Sequence, residues 1–427
     1  MVPDDLAGWL AYIERQHPQA IALGLERVVR VRDGLGIPKF CLIFTVGGTN
    51  GKGSVCAMLE AILLAAGYRV GCYTSPHLLR YNERVRIDGR EVGDAELVES
   101  FRRVEEARGV GAERVPLTYF EFGTLAAWLV FAASKPDALV LEVGLGGRLD
   151  AVNAFDPDCA VLTSIDVDHT EYLGDTRERI GWEKAHIFRR GAPAIVGDPE
   201  PPSTVLDYAA EIGADLQVAG RDFGHAGDRG QWLFWGRRGR RAGLAYPSLR
   251  GANQLLNASA ALAAIDAMRE RLPVAASAIR IGLVQIELPG RFQVLPGRPA
   301  VVLDVAHNPH AAAVLAEDLG AMGVFARTHA VVGMLRDKDM AAICKALGGR
   351  VTDWHVCTLA NPRGASAAEV ARAIEESGAG GTVTQHDSAR EAFVAAREAA
   401  GQSDRIAVFG SFYTVAEVMA FLETMQR

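Results

Sequence analysis

Short apolar runs alternate with alanine-rich stretches along most of the chain. Runs such as FCLIFTV, ALVLEVGL and AVVLDVA have the length and residue content of buried strands. The segments between such runs, for example SVCAMLEAILLAAG and FGTLAAWLVFAASK, carry apolar residues at helical spacing. This alternation is typical of βαβ units, in which parallel strands are buried on both faces of a sheet. The sequence therefore predicts an α/β fold built from doubly wound sheets.

Proline and glycine cluster in LPGRFQVLPGRP, residues 288–299, after one helical segment and before a new strand-like run. Such a cluster indicates a domain boundary, and it divides the chain into parts of ordinary domain size. We therefore predict a larger N-terminal P-loop ATPase-like domain over residues 1–290 and a smaller C-terminal Rossmann-like domain over residues 291–427. The segment QWLFWGRRGRRAG, residues 231–243, departs from this rhythm and predicts a hairpin about a basic, solvated turn.

Charge and cysteine content limit the classes of partner. The net charge is −7 and no second basic patch accompanies the hairpin, so we expect small-molecule substrates and no nucleic-acid partner. The six cysteines form no CxxC pair, which favours free thiols in a reducing compartment. The acidic N-terminal segment does not resemble a signal peptide, and no apolar run reaches the roughly 18 residues of a membrane helix. These features predict a cytoplasmic protein with no membrane partner, and none of them requires more than a monomer.

The segment GGTNGKGS, residues 47–54, joins a predicted strand to a predicted helix. Amide groups and the helix dipole attract phosphate at such a junction, and a lysine adds a mobile cation. The usual phosphate-binding loop has glycine where this chain has Val46, and serine or threonine where it has Gly53. An accidental glycine cluster would explain the glycines but not the lysine between two of them. We therefore predict a nucleotide site formed by Thr49, Asn50, Gly51, Lys52, Gly53 and Ser54.

Gly53 leaves a bound Mg²⁺ without the hydroxyl ligand that the usual loop supplies. Mg²⁺ prefers hard oxygen ligands, which we expect at the C-terminal edge of the same sheet. The three candidates are Ser75 in TSPH, Glu142 in an apolar strand and His169 in DHTEYLG. Ser75 as a turn residue and His169 within a cluster of loop ion pairs remain alternatives. Glu142 is the strongest candidate because a buried carboxylate is costly without donors or a cation.

Eight motifs occur in the order found in folylpolyglutamate synthases, ATP-dependent amide-forming enzymes of the Mur ligase superfamily. They are GTNGKGS, TSPHLLRYNERVRI, LEVGLGGRLDAVN, DHTEYLG, EKAHIF, LPGRFQ, LDVAHNP and GSFYTVAEV. The segment LTYFEFGT is also similar to the bifunctional bacterial members, which act on dihydropteroate as well. The resemblance implies that ATP and Mg²⁺, with two cations expected, support amide formation between L-glutamate and dihydropteroate or a reduced folate. It also implies an acyl-phosphate intermediate.

The resemblance implies catalytic and metal roles for several residues. It assigns ATP to the loop of Lys52, and Mg²⁺ to Ser75, Glu142 and His169. Lys184 in WEKAHIF matches a lysine that is carbamylated in the family; a helix-surface lysine paired with nearby acids is the alternative. Trp182 and His186 differ from the arginine and glycine that are more frequent there.

The remaining implied contacts concern the substrates and ATP. The pterin is expected at Thr118, Tyr119, Phe120, Glu121, Leu149, Asp150 and Ala151. Tyr119 and Phe120 could instead be core residues, and Ala22 stands where the family often has aspartate. Further ATP contacts are expected from Asn257, Arg291 and Asp304. Contacts near the incoming glutamate are expected from His307, Ser411 and Arg84.

Two other functions fit parts of the sequence. A Mur ligase of cell-wall synthesis would share GTNGK and AHNP, but it usually has threonine directly after the lysine, where this chain has Gly53. A nucleotide-binding regulator that has lost catalysis would also keep the loop. The presence of Lys52, Glu142, His169 and Lys184 argues against such a loss.

Overall fold

A computed structural model of the chain describes residues 3–19, 21–227, 230–251 and 253–426. These residues form two compact units, and the chain leaves the larger one for the last time between Ile286 and Glu287. This point lies just before the boundary at 290 that the sequence predicts. Two short segments, 78–80 and 249–254, also belong to the smaller unit. Neither segment lies in a proline and glycine cluster like that of 288–299.

The main sheet of the larger unit has strand order β4-β3-β2-β5-β1-β6-β7-β8 across the described residues. Strands β2, β5, β1, β6, β7 and β8 run parallel, while β3 and β4 continue the sheet antiparallel beside β2. The strands are β1 (Leu42–Gly47), β2 (Val70–Tyr73), β3 (Val85–Ile87), β4 (Arg90–Glu91), β5 (Ala138–Glu142), β6 (Cys159–Leu162), β7 (Pro193–Val196) and β8 (Asp215–Val218).

Helices flank this sheet and contribute to one extended apolar core. β1 and β5 are buried almost throughout, as the apolar runs FCLIFTV and ALVLEVGL predict. The helices are α1 (Leu6–Ile13), α2 (Glu26–Leu35), α3 (Lys52–Ala65), α4 (Asp94–Ala107), α5 (Tyr119–Ser134), α6 (Thr170–Leu173), α7 (Arg177–Ala185), α8 (Ser203–Ile212), α9 (Gln254–Ala267) and α10 (Ala276–Val284). Short 3₁₀ helices cover Tyr81–Arg84, Gly111–Glu113 and Ala151–Ala154.

A separate antiparallel sheet contains β9 (Gly224–Gly227), β10 (Trp232–Gly236) and β11 (Gly239–Leu244). β10 and β11 form the hairpin that was predicted from QWLFWGRRGRRAG. The arginines of its turn pair with acids: Arg237 lies 2.7 Å from Asp215, and Arg238 lies 3.2 Å from Glu270. The basic turn is thus compensated within the larger unit.

The smaller unit has strand order β12-β13-β17-β14-β15-β16 in its described part, and only β12 runs antiparallel to its neighbour. Apolar clusters lie on both faces of the sheet. Its strands are β12 (Gln293–Leu295), β13 (Ala300–Leu303), β14 (Thr328–Val332), β15 (Asp353–Cys357), β16 (Thr382–His386) and β17 (Arg405–Phe409). Its helices are α11 (Pro309–Ala321), α12 (Met340–Leu347), α13 (Ala367–Ser377), α14 (Ala389–Ala399) and α15 (Phe412–Gln426).

The prediction of an α/β protein with two doubly wound units is confirmed. Within the segment 288–299, β12 pairs with β13 through the register Val294↔Val302, so part of this segment forms the edge strand of the smaller unit. β13 is therefore the second strand of its unit. No helix within the described ranges is long and apolar enough to cross a membrane.

Candidate active site

The phosphate-binding loop lies between β1 and α3, and Gly51 caps the helix with a φ of 87°. Hydrogen bonds to the segment after β6 hold the loop. The Thr49 amide donates to Ser164 O (2.7 Å), and Thr49 Oγ1 donates to Asp166 O (3.0 Å). The Asn50 amide donates to Ser164 Oγ at 3.2 Å. The loop is therefore held by hydrogen bonds within the protein, with the amide groups of the first turn of α3 at its end.

Glycine is required at two positions of this loop because neighbouring side chains approach the backbone closely. A Cβ atom on Gly51 would lie 2.6 Å from Asn257 Oδ1, and Gly51 has a positive φ. A Cβ atom on Gly48 would collide with Thr163 Oγ1. Asn257, in the first turn of α9, is thus beside the phosphate-binding loop, where the sequence predicts an ATP contact. Gly53 and Ser54 are buried in the first turn of α3.

Two lysines meet at the carbonyl of Gly48. Lys52 Nζ donates to Gly48 O and to Thr49 O, both at 3.1 Å. Lys184 Nζ, on α7, donates to the same Gly48 O at 2.9 Å. Burial and the charge of Lys52 lower the pKa of Lys184 to about 7. The alternative of a helix-surface lysine does not describe Lys184, which is 5% exposed.

Glu142 lies at the C-terminal end of β5, directly beside Val46 of β1. Its side chain is buried at 4% exposure, and one carboxylate oxygen accepts a hydrogen bond of 3.0 Å from the Ser75 amide. His169 begins α6 in a left-handed conformation with φ 53°, and its amide donates to Asp168 Oδ1. In the described part of the chain, no three His, Cys, Asp or Glu side chains form a ready metal site. A buried carboxylate at the edge that carries the phosphate-binding loop nevertheless fits Mg²⁺, which takes few protein ligands and completes its shell with water and phosphate.

The stretch Thr118–Glu121 forms the N-terminus of α5. Thr118 and Glu121 make a capping box, with the Thr118 amide donating to Glu121 Oε2 at 2.7 Å. Arg27 donates to the same carboxylate, with Nη2 2.7 Å from Glu121 Oε1. The same Nη2 also donates to Ala22 O at 2.6 Å. Glu121 therefore joins α2 to α5, and Ala22 is held through its carbonyl.

The second predicted pterin segment also has internal bonds. Asp150 caps the short helix Ala151–Ala154, accepting from the Val152 amide at 2.9 Å and from the Leu145 amide at 2.8 Å. Burial raises the pKa of Asp150 to about 6, although these amides and the charge of Lys52 oppose the shift. Leu149 accepts from the Gly24 amide at 3.4 Å. Both carboxylate oxygens of Asp150 thus brace the loop that carries Leu149 and Ala151.

Aromatic rings surround Arg84, at the end of the 3₁₀ helix after β2. Its guanidinium carbon lies 5.3 Å from the ring centroid of Tyr81 and 5.4 Å from that of Tyr119. Its Nε donates to His77 Nδ1 at 2.8 Å. Phe120 packs against Gly144, where a Cβ atom would lie 2.6 Å from the ring. Burial and the charge of Arg84 lower the pKa of His77 to about 4.

In the smaller unit, four predicted residues gather at the carboxyl ends of β13 and β17. Both oxygens of Asp304 accept backbone amides, from Phe292 at 2.7 Å and Ala306 at 2.8 Å, and burial raises its pKa. The Arg291 guanidinium lies 5.0 Å from the Phe412 ring, and the His307 ring lies 6.1 Å from it. His307 Nδ1 lies 2.8 Å from Val305 O, so Nδ1 carries a proton and donates it to this carbonyl.

Ser411 differs from its neighbours because its hydroxyl has a structural partner on α15. Ser411 Oγ accepts from the Thr414 amide at 3.0 Å and lies 2.7 Å from Thr414 Oγ1. It is 3% exposed. Ser411 lies just after β17, and the contacts seen are those of a helix cap.

Three residues of these groups escaped the sequence analysis. Arg27 contacts Glu121 and His77 contacts Arg84, and only the folded chain brings these partners together. Lys338 follows β14 at the same sheet edge as Asp304 and His307, with a side chain 6% exposed and Nζ 3.9 Å from Asp337. The signal for Lys338 was a lysine in the loop that follows an apolar strand, in VVGMLRDKD.

Comparisons with known proteins agree over the whole chain. The Mur ligase middle domain family matches residues 46–265, and the Mur ligase glutamate ligase domain family matches residues 290–412. The chain is 47% identical to the dihydrofolate synthase/folylpolyglutamate synthase of Escherichia coli K12, covering 98% of this chain and 96% of that protein.

Solved structures give the same result. The structure of E. coli FolC in complex with DHPP and ADP matches with a TM-score of 0.94 and 45% identity, covering 100% of both chains. A bifunctional folylpolyglutamate synthase/dihydrofolate synthase with Mn, AMPPNP and L-glutamate bound matches with a TM-score of 0.91 and 46% identity, covering 99% of this chain and 100% of that one.

Proposed function

Because the chain belongs to the dihydrofolate synthase/folylpolyglutamate synthase family of the Mur ligases, we propose roles for its side chains in the reaction of that family. The chain is an ATP-dependent ligase that adds L-glutamate to dihydropteroate, giving dihydrofolate, and to the γ-carboxylate of reduced folates. ATP and a divalent metal ion are its cofactors. The observation that carries this function is the 47% identity to a named enzyme over 98% of the chain.

We propose that the reaction passes through an acyl phosphate, because a free carboxylate is a poor acyl donor. A carboxylate oxygen of the pterin substrate attacks the γ-phosphorus of ATP, the bond to the bridging oxygen breaks, and ADP leaves. The glutamate amine then attacks the acyl carbon, phosphate leaves with the electron pair, and the amine loses a proton. Lys52 fits the first step, since an ammonium group at the head of α3 stabilises charge that develops on the phosphate.

We assign the metal to Glu142, with Ser75 and His169 as further ligands. The burial of Glu142 beside the phosphate-binding loop supports this assignment. The metal ion supplies electrostatic stabilisation of phosphate oxygens when it is bound. Glu142 also accepts a hydrogen bond from the Ser75 amide. This bond holds the carboxylate toward the loop and aligns the TSPH segment with the carboxylate.

We propose that Lys184 is carbamylated, as the family resemblance implies. A buried amine with a pKa of about 7 is largely neutral above neutrality, and only the neutral amine adds to CO₂. Its lone pair forms the bond to carbon, one carbonyl electron pair moves to oxygen, and the amine releases a proton. The carbamate would carry a negative charge beside Lys52. The side chains of Lys52 and Lys184 would then attract each other, whereas two ammonium groups repel. This carbamate is our candidate for orienting the second cation.

The substrate contacts are assigned by chemistry and position. Tyr119 and Phe120 offer ring surfaces for the pterin, while Thr118, Glu121 and residues 149–151 shape the surrounding backbone. Asn257, Arg291 and Asp304 are assigned to ATP. His307 and Arg84 are assigned to L-glutamate, where the Arg84 guanidinium, which only donates hydrogen bonds, suits a carboxylate. Ser411 is assigned to the same substrate through the helix end that it caps.

We further infer a cytoplasmic monomer that binds no nucleic acid. The six cysteines carry no disulfide, which suits a reducing compartment. The arginines of the β10–β11 turn are paired with acids, which leaves little charge for a phosphate backbone. Light scattering would test the mass in solution, and cell fractionation would test the location.

An ADP-release assay with dihydropteroate or a reduced folate tests the function directly. We expect ADP release only when glutamate and one of the two pterin substrates are both present, and we expect a Lys52→Ala variant to be inactive. A cell-wall ligase would require a nucleotide-linked precursor instead. A regulator would bind ATP and release no ADP with either substrate. Mass spectrometry of the products would show the addition of one glutamyl residue.

A further inference from the structure

Arg84 is a buried cation without an acidic partner. Its residue exposure is 9%, and no carboxylate among the described residues pairs with its guanidinium. Arg86, two positions along the chain, shows the ordinary arrangement, with Nη2 2.7 Å from Glu60 Oε2. A buried charge is costly unless it is compensated. The charge of Arg84 is therefore available to an anion that the protein does not itself supply.

The surroundings of Arg84 fix its orientation without cancelling its charge. The rings of Tyr81 and Tyr119 lie 5.3 and 5.4 Å from the guanidinium carbon, which gives a partial electrostatic attraction through the π faces. Nε donates in the plane to His77 Nδ1 at 2.8 Å. The His77 ring also contacts the Tyr81 ring edge-on, with centroids 5.8 Å apart.

The chemistry of His77 explains why an imidazole suits this position. Because Nδ1 accepts the Nε proton of Arg84, Nδ1 holds a lone pair, and a neutral ring has its proton on Nε2. An aspartate there would orient the guanidinium equally well but would neutralise it. A leucine would leave the charge and remove the hydrogen bond to Nε. A neutral acceptor is the side chain that provides orientation and retains the positive charge.

We propose that His77 is a positioning residue that holds the guanidinium of Arg84, still positively charged, for a substrate carboxylate. The proposal rests on the ligase function proposed above, since both the pterin substrate and L-glutamate carry carboxylates. With Nε bound by His77, the terminal Nη atoms meet the carboxylate. A charge-assisted hydrogen bond of this kind contributes more than a neutral one, so its loss weakens substrate binding measurably.

Three substitutions at His77 separate orientation from charge. His77→Asn keeps a neutral acceptor close to the position of Nδ1, His77→Asp has the same shape with a negative charge, and His77→Leu has no acceptor. We expect KM for one carboxylate substrate to rise about 10- to 100-fold in the Asp and Leu variants, as the loss of a charged hydrogen bond predicts. We expect the Asn variant to stay near the wild type. KM for ATP should not change in any of them.

Varying glutamate and the pterin substrate in separate titrations identifies the carboxylate, and a rise in either KM supports the proposal. The decisive control repeats the substitutions in an Arg84→Ala background. There we expect His77→Asp and His77→Leu to add no further loss, since His77 acts through Arg84. If the Asp variant does not fold, the Asn and Leu variants in both backgrounds answer the same question.

Equal losses in the Asn and Leu variants, additive losses with Arg84→Ala, or unchanged KM values for both carboxylate substrates would overturn the proposal. Failure of the ligase function is separate from these outcomes. It would appear as a wild-type protein that forms no glutamyl product.

Discussion

Glu142 carries its carboxylate inside a parallel sheet, where such a group needs donors or a cation. We expect Glu142→Gln to keep the fold, because the shape is preserved and the amide oxygen can still accept from Ser75. Metal-dependent turnover should fall by a factor of about 10² or more, since metal stabilisation contributes several kcal/mol. Glu171→Gln, an exposed change near His169, is the control and should leave turnover unchanged. Steady-state ADP release at varied Mg²⁺ measures both, and normal turnover in Glu142→Gln would remove Glu142 from the metal site.

Lys184 gives a pH-dependent prediction. Its pKa is lowered to about 7, so the neutral amine becomes more abundant as the pH rises from 6 to 8. We expect the carbamate signal from ¹³C-labelled bicarbonate in NMR spectra to grow over this range and to vanish in Lys184→Ala. Activity should vanish with it and return in part on addition of acetate. Lys345→Ala, on the exposed face of α12, is the control; a fully active Lys184→Ala would contradict the assignment.

The helix that follows the phosphate-binding loop is tied to β3 by a buried ion pair. Arg86 Nη2 lies 2.7 Å from Glu60 Oε2, and Nη1 reaches Thr74 Oγ1 at 3.2 Å. We expect Arg86→Met to lower the free energy of unfolding by about 3 to 5 kcal/mol, because it leaves Glu60 buried and unpaired. The double variant Arg86→Met, Glu60→Met should be far less destabilised.

The control for this ion pair is the exposed pair of Arg102 and Glu99 on α4, 2.6 Å apart. Arg102→Met should cost much less, because water screens an exposed ion pair. Urea unfolding curves of the wild type and the three variants measure these differences. A cost for Arg86→Met as small as that for Arg102→Met would show that the pair contributes little to stability.

Three histidines lie diagonally across neighbouring strands of the smaller unit. His329 Nδ1 is 3.4 Å from His355 Nε2, and the rings of His355 and His386 stack at 5.6 Å. Burial, followed by the charges of His329 and His386, lowers the pKa of His355 to about 4. Below pH 6.5, the ordinary pKa of a histidine, His355 binds a proton in the unfolded chain that it does not bind in the folded chain. We therefore expect the smaller unit to lose stability as the pH falls from about 6.5 to 4.

Urea unfolding of protein labelled with 5-fluorotryptophan tests this, because the ¹⁹F signal of Trp354 on β15 reports the smaller unit. His355→Gln should flatten the pH dependence, while His17→Gln, in the larger unit, should not alter it. A pH dependence unaffected by His355→Gln would show that other groups cause it.

The limits of sequence reasoning at the level of strands and helices follow from the range of the contacts. Strand and helix periodicities are properties of neighbouring residues, so the two α/β units, the loop at 47–54 and the hairpin at 231–243 were predictable. β12 was missed because it has three residues and is defined by its pairing with β13. The partners Arg27 and Glu121 are 94 positions apart, and no local pattern indicates that they meet.

The chain as a whole divides into two units with separate cores, and the smaller one has apolar clusters on both faces of its sheet. We therefore expect residues 287–427 to fold when expressed alone. Circular dichroism should show mixed helix and strand with a cooperative thermal transition. A fragment of residues 297–427, which lacks β12, is the comparison and should melt at a lower temperature because the edge of β13 loses its partner. An unfolded 287–427 fragment would show that the unit needs the larger one.

The local sequence context decides which site residues can be predicted from the sequence. Glu142 and Lys52 stand out because each is anomalous in its own segment, as a charge in an apolar strand or a lysine between glycines. Asp150 and Glu121 were predicted to face the substrate, and the structure shows backbone amides or Arg27 on their oxygens. The partner of Glu121 is distant in the chain, and the partners of Asp150 are backbone amides, which every sequence carries. The sequence therefore indicates where each side chain lies and not what it contacts.

Gly48 limits the ways in which this loop can diverge. Its carbonyl receives both Lys52 and Lys184, while its Cα faces Thr163 so closely that even a methyl group would collide. An alanine would have to displace β6 or rotate the peptide that both ammonium groups bind. In a saturation library selected for growth that depends on this enzyme, position 48 should accept glycine alone, although Val46, two residues before it, departs from the common loop. The sequence of the loop can therefore vary at its two ends, but not at the residue whose carbonyl accepts hydrogen bonds from both lysines.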